Sequence, residues 1–437
     1  MLPIAAPLLF ELVLGIGVGA VGTWLAARLS DTEGAAYALT LHLLAMLFVL
    51  FRIIGAGIGV VVSQSLGAGR RDAAQAVARA TLGASSWIGG FTALVALAFA
   101  WPLLRLLNAP PEVLPLAAPL LMALAPALLL DAWNASMASV MRAYLKVRET
   151  LAVIVLMHAL LLVLALLLMP RLGLPGYALA LALSRAVGAV CMAWLWHTRL
   201  DLSIRWPDVW RWQRQTLAPV LRIGLPGAAE NIAYRLAFLI SVSVVGSLGG
   251  AALATQAYTL QINYAVLLFG LATGLSVEIV VGHRVGAGQL RDSHRLVRRA
   301  LALGLAASVA IATLAALAGP QLIGLFTQDA ALIASGAALL WWSVLLEPGR
   351  TFNLVVINAL RAAGDARYPL LAGAASMIVV LAGGSWLLGV ELGWGLPGVW
   401  IAYAADEWLR GLLMWRRWVT LGWLPHARAA HRRLRRA

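Results

Sequence analysis

LGAGRRD, at residues 66–72, returns as VGAGQLRD at residues 285–292. The two copies lie 219 residues apart, and the same offset relates other polar and glycine positions. These pairs are Pro7 and Pro226, Glu11 and Glu230, Gly55 and Gly274, Asn134 and Asn353, Arg142 and Arg361, and Arg148 and Arg367. GLPG at 173–176 returns at 395–398 with an offset of 222, which indicates a three-residue insertion. We therefore predict two homologous halves.

The composition predicts that both halves lie in a membrane. The chain of 437 residues is 62% hydrophobic and 12% charged, with a mean hydropathy of +0.88, whereas a soluble domain is about half apolar and about a quarter charged. Twelve apolar segments are long enough to span a bilayer. Their centres lie near residues 15, 50, 92, 125, 160, 186, 235, 268, 306, 343, 378 and 408. We predict an all-α membrane protein, because lipid offers no partners for unpaired backbone groups.

Arginine placement predicts the orientation of the chain. Basic residues cluster after the even-numbered spans, whereas the alternate loops hold little beyond Arg28, Arg105 and Arg171. This positive-inside pattern puts both termini in the cytoplasm and, in a bacterial cell, the protein in the inner membrane. With six helices in each half, the two repeats are parallel. The first span begins almost at Met1 without a small-residue cleavage site, so we expect it to be retained.

The domain boundaries follow from this pattern. We predict an N-terminal six-helix bundle at 1–198, a Trp-rich cytoplasmic linker at 199–215, a C-terminal six-helix bundle at 216–424 and a basic cytoplasmic tail at 425–437. An anionic lipid surface suits the tail better than a nucleic acid does. We expect a monomer in the lipid bilayer that acts on a small-molecule substrate and binds no nucleic acid.

The repeated stretch itself is predicted to be a cytoplasmic turn. Its small residues allow a sharp change of direction and tolerate positive φ, and its aspartate suits the first turn of the next helix. The turn residues are Gly67, Gly69, Asp72, Gly286, Gly288 and Asp292. A phosphate cradle is the weaker interpretation, because the only lysine, Lys146, does not follow a P-loop.

The sequence argues against most enzyme classes. Cys191 is the single cysteine, no His-Glu-x-x-His is present, and no nucleophile–base constellation stands out. A membrane-embedded enzyme that acts on a lipid remains an alternative only because a carboxylate pair shielded from water can assist hydrolysis. We expect no enzymatic activity, no metal and no cofactor beyond a coupling ion.

GIGVVVSQSLGAGRRDAA at 57–74 and NALRAAGDARYP at 358–369, together with a proline-led first helix, resemble the multidrug and toxic compound extrusion (MATE) family. That family is part of the multidrug/oligosaccharidyl-lipid/polysaccharide exporter superfamily. The resemblance covers residues 7 to about 415. It implies twelve transmembrane helices in an N-lobe and a C-lobe around a central V-shaped cavity, and export of organic cations driven by inward H⁺ or Na⁺.

Two positions depart from the family pattern. Family members often carry an aspartate on helix 1 in a Val-Asp-Thr sequence, where this chain has Val21-Gly22-Thr23. Many also carry an acid on helix 10, where this chain has Arg350. The family's coupling ion therefore does not carry over directly.

Glu11 and Glu230 are the leading candidates for ion coupling. They occupy equivalent positions on the first helix of each half, four residues after a proline. Burial disfavours the charged form of a carboxyl group, so such a group can take up a proton near neutral pH. The alternative is a static ion pair, for instance of Glu230 with Arg235 or Arg350.

Asp131 and Arg350 also share a repeat position, with opposite charges, and Asn134 and Asn353 follow them by three residues. We consider a gate in which the two charges meet, and the static i,i+3 pair of Glu347 with Arg350 as the alternative.

Other intramembrane residues complete the candidates. Glu278 is predicted to be an ion site or to snorkel, and Asp406, Glu407 and Arg410 an intrahelical pair. Aromatic side chains could stack on flat cations or serve packing. They are Tyr234, Tyr264, Trp133 and Trp341.

Three functions follow. The first is a secondary active exporter of amphipathic, cationic compounds by H⁺ or Na⁺ antiport. The second is a flippase for a lipid-linked oligosaccharide or another anionic lipid, with Arg52, Arg185 and Arg350 binding pyrophosphate. The third is the membrane enzyme.

Overall fold

The computed structural model describes residues 1–47 and 49–436, and within them leaves aside the side chains of residues 49, 50, 52–54, 56 and 436. Arg52 therefore lies outside the described side chains. Within the described part of the chain every regular element is helical, which confirms the predicted all-α class. Long apolar segments favour helices in lipid, because a helix pairs its backbone groups within one segment.

The chain divides into two compact units. The N-terminal unit comprises Phe10–Leu66 and Arg70–Leu225, and the C-terminal unit comprises Met1–Leu9, Gly67–Gly69 and the chain from Pro226 onward. The helices up to the unit boundary are α1 (Leu2–Ala27), α2 (Asp31–Leu47), α3 (Val49–Gly67), α4 (Arg71–Leu106), α5 (Leu114–Ala143), α6 (Val147–Leu172), α7 (Leu174–Leu200) and α8 (Trp206–Trp210).

Helix α9 (Arg214–Ser247) crosses from the N-terminal into the C-terminal unit. The helices after it are α10 (Gly250–Gly286), α11 (Leu290–Leu317), α12 (Gly319–Gly324), α13 (Ala330–Ala362), α14 (Arg367–Glu391), α15 (Gly395–Val419) and α16 (Leu424–Arg436). The second part of α14 contains wider π-helical turns at Met377–Gly383 and Leu387–Glu391.

Ten helices of the described chain are long and apolar enough to cross a membrane, and Gly57–Gly67 is a shorter apolar helix. The two predicted spans missing from the ten are those centred near residues 50 and 408. The first corresponds to α2 and α3. The second is α15, a 25-residue helix that carries three charged residues near its middle, Asp406, Glu407 and Arg410. The predicted count of twelve is consistent with this arrangement.

Each unit exposes apolar side chains and buries polar ones, as expected of a lipid-facing protein. Phe91, Leu94 and Leu97 lie exposed on α4, an apolar stripe that water would disfavour. Inside the same unit the Ser85 and Ser136 hydroxyls form a hydrogen bond between α4 and α5. A β-carbon at Gly89 would lie 2.8 Å from Ala132 Cβ, so small residues allow these two helices to approach closely.

The repeat extends to the backbone at both glycine motifs. Gly69 and Gly288 have φ of +74° and +75°, in the turns that follow α3 and α10. In the two GLPG copies, β-carbons at Gly176 and Gly398 would lie 2.6 Å from the carbonyl oxygens of Leu168 and Leu388. Matched conformations at matched positions support two halves of common origin.

Candidate functional site: buried ion pairs in the two units

The two repeat-related glutamates pair with the two repeat-related arginines. In the N-terminal unit the Arg142 guanidinium donates to the Glu11 carboxylate. In the C-terminal unit Arg361 Nη2 donates to Glu230 Oε2 at 2.6 Å. Our suggested partners for Glu230, Arg235 or Arg350, were therefore wrong. The second pair is the more buried, since the Glu230 side chain is 9% exposed and that of Glu11 19%.

Arg361 faces a second carboxylate. Glu278, on α10, is buried and interacts electrostatically with Arg361. The sequence showed no partner for Glu278 because Arg361 lies on another helix, α13. Position 59, its counterpart in the first half, is a glycine. The C-terminal unit thus has a second buried carboxylate that interacts electrostatically with this guanidinium, where the N-terminal unit has a glycine at the equivalent position.

Asp131 and Arg185 form the second buried pair of the N-terminal unit. Arg185 Nε lies 2.6 Å from Asp131 Oδ1, and the two side chains are 13% and 14% exposed. Asn134 Nδ2 donates to the backbone oxygen of Arg185 at 2.9 Å. These contacts join α5 to α7.

The C-terminal unit contains the same pair with the charges exchanged. Arg350 takes the place of Asp131 at the offset of 219, and Glu407 takes the place of Arg185 at the offset of 222. Arg350 Nε lies 3.5 Å from Glu407 Oε1. Asn353, the counterpart of Asn134, donates from Nδ2 to Glu407 Oε2 at 3.0 Å. The geometry is repeated although the polarity is not.

Further charges surround the exchanged pair. Glu347 Oε1 accepts from Arg350 Nη1 at 2.7 Å, as the i,i+3 alternative predicted. Arg410 Nη2 lies 2.7 Å from Asp406 Oδ2 and 2.8 Å from Glu407 Oε1. The five-charge cluster, as we call it, consists of Glu347, Arg350, Asp406, Glu407 and Arg410.

The five-charge cluster has one carboxylate more than it has guanidiniums. All five side chains are at most 10% exposed. Ser376 Oγ donates to Asp406 Oδ1 at 2.7 Å, and the Arg410 guanidinium lies 5.8 Å from the centre of the Tyr234 ring. With every group ionised the cluster is formally −1. A buried excess charge is unfavourable unless a cation or a proton neutralises it.

The remaining candidates lie elsewhere. Tyr264 and Trp341 are about half exposed, at 47% and 53%. Trp133 donates from Nε1 to Ser86 Oγ within the N-terminal unit. Arg185 and Arg350, the described members of the proposed pyrophosphate site, are both engaged in the ion pairs above. A pyrophosphate group would have to compete with the carboxylates that already pair with these two arginines.

Gly22 shows why the helix 1 acid typical of the family has no room here. A β-carbon at Gly22 would collide with the hydroxyl of Tyr37. Tyr37 is fully buried, and its ring makes an edge contact with Tyr177 at 4.8 Å. A pair of tyrosines therefore fills the space beside this position.

A family model, MatE, matches residues 7–168 and 226–386. The two matches begin at the equivalent prolines, Pro7 and Pro226. The chain belongs to the MatE family. The resemblance noted from the turn motifs is thereby confirmed, and the protein is a multi-pass membrane protein of a transporter family.

Relatives and solved structures agree with this membership. The chain is 31% identical over 431 residues to the uncharacterized transporter YisQ of Bacillus subtilis (strain 168), covering 97% of this chain and 94% of YisQ. It is 27% identical to a probable multidrug resistance protein NorM of Pseudomonas aeruginosa, over 60% of this chain and 56% of that protein. A crystal structure of MATE in the bent conformation matches with a TM-score of 0.89 and 19% identity, covering 98% of this chain and 95% of that chain.

Proposed function

We propose that this MatE-family protein is a secondary active exporter of amphipathic, cationic organic compounds in the cell inner membrane, with both termini in the cytoplasm. It exchanges its solute for inward-moving cations and is not an enzyme. The multidrug resistance name of the NorM relative supports this substrate class.

The observation that carries the proposal is that carboxylates outnumber guanidiniums in the buried sites of the C-terminal unit but not in those of the N-terminal unit. In the N-terminal unit, Glu11 with Arg142 and Asp131 with Arg185 are balanced pairs. In the C-terminal unit, Arg361 pairs with Glu230 and interacts electrostatically with a second buried carboxylate, Glu278, and the five-charge cluster holds three carboxylates with two guanidiniums. Cation uptake therefore belongs to the C-terminal unit.

A proton fits these sites better than Na⁺ does. Each surplus carboxylate lies beside a guanidinium, which repels a metal ion, whereas a proton adds to a single oxygen and removes the excess charge. A proton on Glu278 would remove the excess charge and leave Arg361 paired with Glu230. A coupling ion shifts a two-state equilibrium only by its differential affinity for the two states.

Dye efflux from vesicles tests the proposal. Purified protein is reconstituted, and efflux of a cationic dye is driven by a pH gradient or, separately, by a Na⁺ gradient. We expect Glu278→Gln and Glu347→Gln each to reduce pH-driven efflux strongly, because an amide cannot take up the coupled proton. Glu112→Gln, at an exposed glutamate of the N-terminal unit, serves as the matched control.

Two results would refute the proton assignment. One is wild-type pH-driven efflux in the Glu278→Gln/Glu347→Gln double variant. The other is efflux that a Na⁺ gradient drives and a pH gradient does not. Dye binding measured without any gradient distinguishes lost coupling from lost folding, because a folded but uncoupled variant still binds the dye.

A further inference from the structure

The C-terminal helix α16 is amphipathic and held in place. Its buried positions follow helical spacing, with Ala427 and Leu434 buried and His431 half-buried between them. His431 Nδ1 lies 2.8 Å from the backbone oxygen of Gly286. A β-carbon at Gly288 would lie 3.2 Å from His431 Cε1. The helix therefore seats directly on the turn after α10.

The opposite face of α16 is basic and exposed. Arg428, Arg432 and Arg435 lie on this face, and Arg432 Nε donates to the backbone oxygen of Arg428 at 3.4 Å. Exposed arginines also lie in the first turns of α11, which follows the turn that α16 contacts. They are Arg291, Arg295, Arg298 and Arg299.

The position of α16 keeps this basic face near the membrane. The last spanning helix, α15, ends at Val419 and α16 begins at Leu424. Four residues reach at most about 14 Å, so the start of α16 lies close to the end of the spanning helix α15. The Trp418 and Trp423 rings stack at 4.3 Å across this short connection, which fixes the start of α16 to the end of α15.

We propose that the exposed face of α16 is a fixed binding surface for anionic lipid headgroups at the cytoplasmic side of the bilayer. Guanidinium groups form paired hydrogen bonds with phosphate oxygens. The buried face and the His431 contact fix the helix backbone that carries the arginines before a lipid binds, so no folding of this segment has to accompany binding. A lipid is favoured over a nucleic acid because the short connection holds the arginines at the bilayer surface.

Thermal unfolding in detergent micelles tests the proposal. The full-length protein is titrated with phosphatidylglycerol or with phosphatidylcholine. We expect phosphatidylglycerol alone to raise Tm. Since each arginine at an anionic surface contributes about a fivefold factor in affinity, R428Q/R432Q/R435Q should weaken the phosphatidylglycerol response about a hundredfold. R428K/R432K/R435K should retain most of it.

The matched control removes the same number of arginines elsewhere. R28Q/R105Q/R171Q changes three exposed arginines of the N-terminal unit and should keep the wild-type response. The proposal is overturned if R428Q/R432Q/R435Q also keeps it, or if the control loses it equally. It is also overturned if a 20-nucleotide RNA raises Tm as phosphatidylglycerol does and the α16 variant abolishes both responses.

Discussion

Exchanging the charges of the Asp131–Arg185 pair should preserve much of the protein's stability, whereas changing either residue alone should lower it. The double variant Asp131→Arg/Arg185→Glu reproduces in the N-terminal unit the polarity of Arg350 and Glu407. Asn134 can then donate to the new carboxylate, as Asn353 does to Glu407 at 3.0 Å. The single variants leave a like-charge contact in a site that is 13–14% exposed.

The expected magnitudes follow from the two geometries. Breaking a buried pair by removing one partner costs about 3–5 kcal/mol, and the small exposure of this pair allows little screening by water. The native N–O distance is 2.6 Å, and that of the exchanged pair is 3.5 Å. At an effective dielectric constant of ~20 this difference weakens the attraction by about 1.6 kcal/mol. The double variant should therefore recover about half to two thirds of the loss.

The assay is the fraction of protein that stays monodisperse in detergent after heating, which gives an apparent Tm for each member of the double-mutant cycle. With about 2–4 °C for each kcal/mol in a unit of this size, each single variant should lose at least about 6 °C. Asp72→Asn, at the exposed Arg70–Asp72 pair, should leave Tm unchanged. A double variant no more stable than the worse single variant would refute the inference that the two sites share one architecture.

Three further outcomes follow from glycine positions and are measured by the same thermal assay. Gly176→Ala should lower Tm at a cost of about 1–3 kcal/mol, because its β-carbon would lie 2.6 Å from a backbone oxygen that cannot move aside. Gly90→Ala, whose β-carbon would meet open space, should leave Tm unchanged. Equal losses of Tm in the two variants would contradict this reason. Gly69→Val should lose about 1–2 kcal/mol at φ +74°, and Gly69→Asn should lose less, so the reverse order would be inconsistent with a left-handed turn. Gly22→Asp should be poorly folded and should improve when combined with Tyr37→Phe, which removes the hydroxyl in its way; no improvement would mean that another contact excludes the acid.

Much of the fold could be predicted because the repeat is visible at glycine, proline and charged positions, where few other residues can replace the original one. The glycines at 69 and 288 need a left-handed backbone, so both copies retain glycine there. The apolar spans are recognisable because lipid tolerates few charges. Helix α15 is the instructive case, since the apolar pattern predicts a span centred near residue 408 although three charged residues lie near its middle, where they pair with one another and with Arg350 inside the unit.

The candidate site could be predicted only as a set of residues. Glu11, Arg142, Glu230 and Arg361 were all visible as repeat positions, yet their pairing depends on which helix faces are adjacent. The exchange of Asp131 with Arg350 was apparent at one offset. The matching exchange of Arg185 with Glu407 was not apparent. The insertion lies between the two positions, so this pair is related by an offset of 222 and not 219. Without tertiary contacts, sequence spacing can propose only partners on the same helix, such as i,i+3 and i,i+4 neighbours.

The connection between α14 and α15 shows where the second half gained length. The repeat offset is 219 at Arg367 and 222 at Gly395, yet α14 has 25 residues and its counterpart α6 has 26. The additional residues are therefore those of the connection, residues 392–394, whose backbone amides donate to carbonyl groups at the end of α14. A loop within the hydrocarbon would leave peptide groups unpaired, which is unfavourable, whereas an insertion at a helix end keeps them paired. A duplicated half can thus change in length at the ends of its membrane-spanning helices while the spans keep their register.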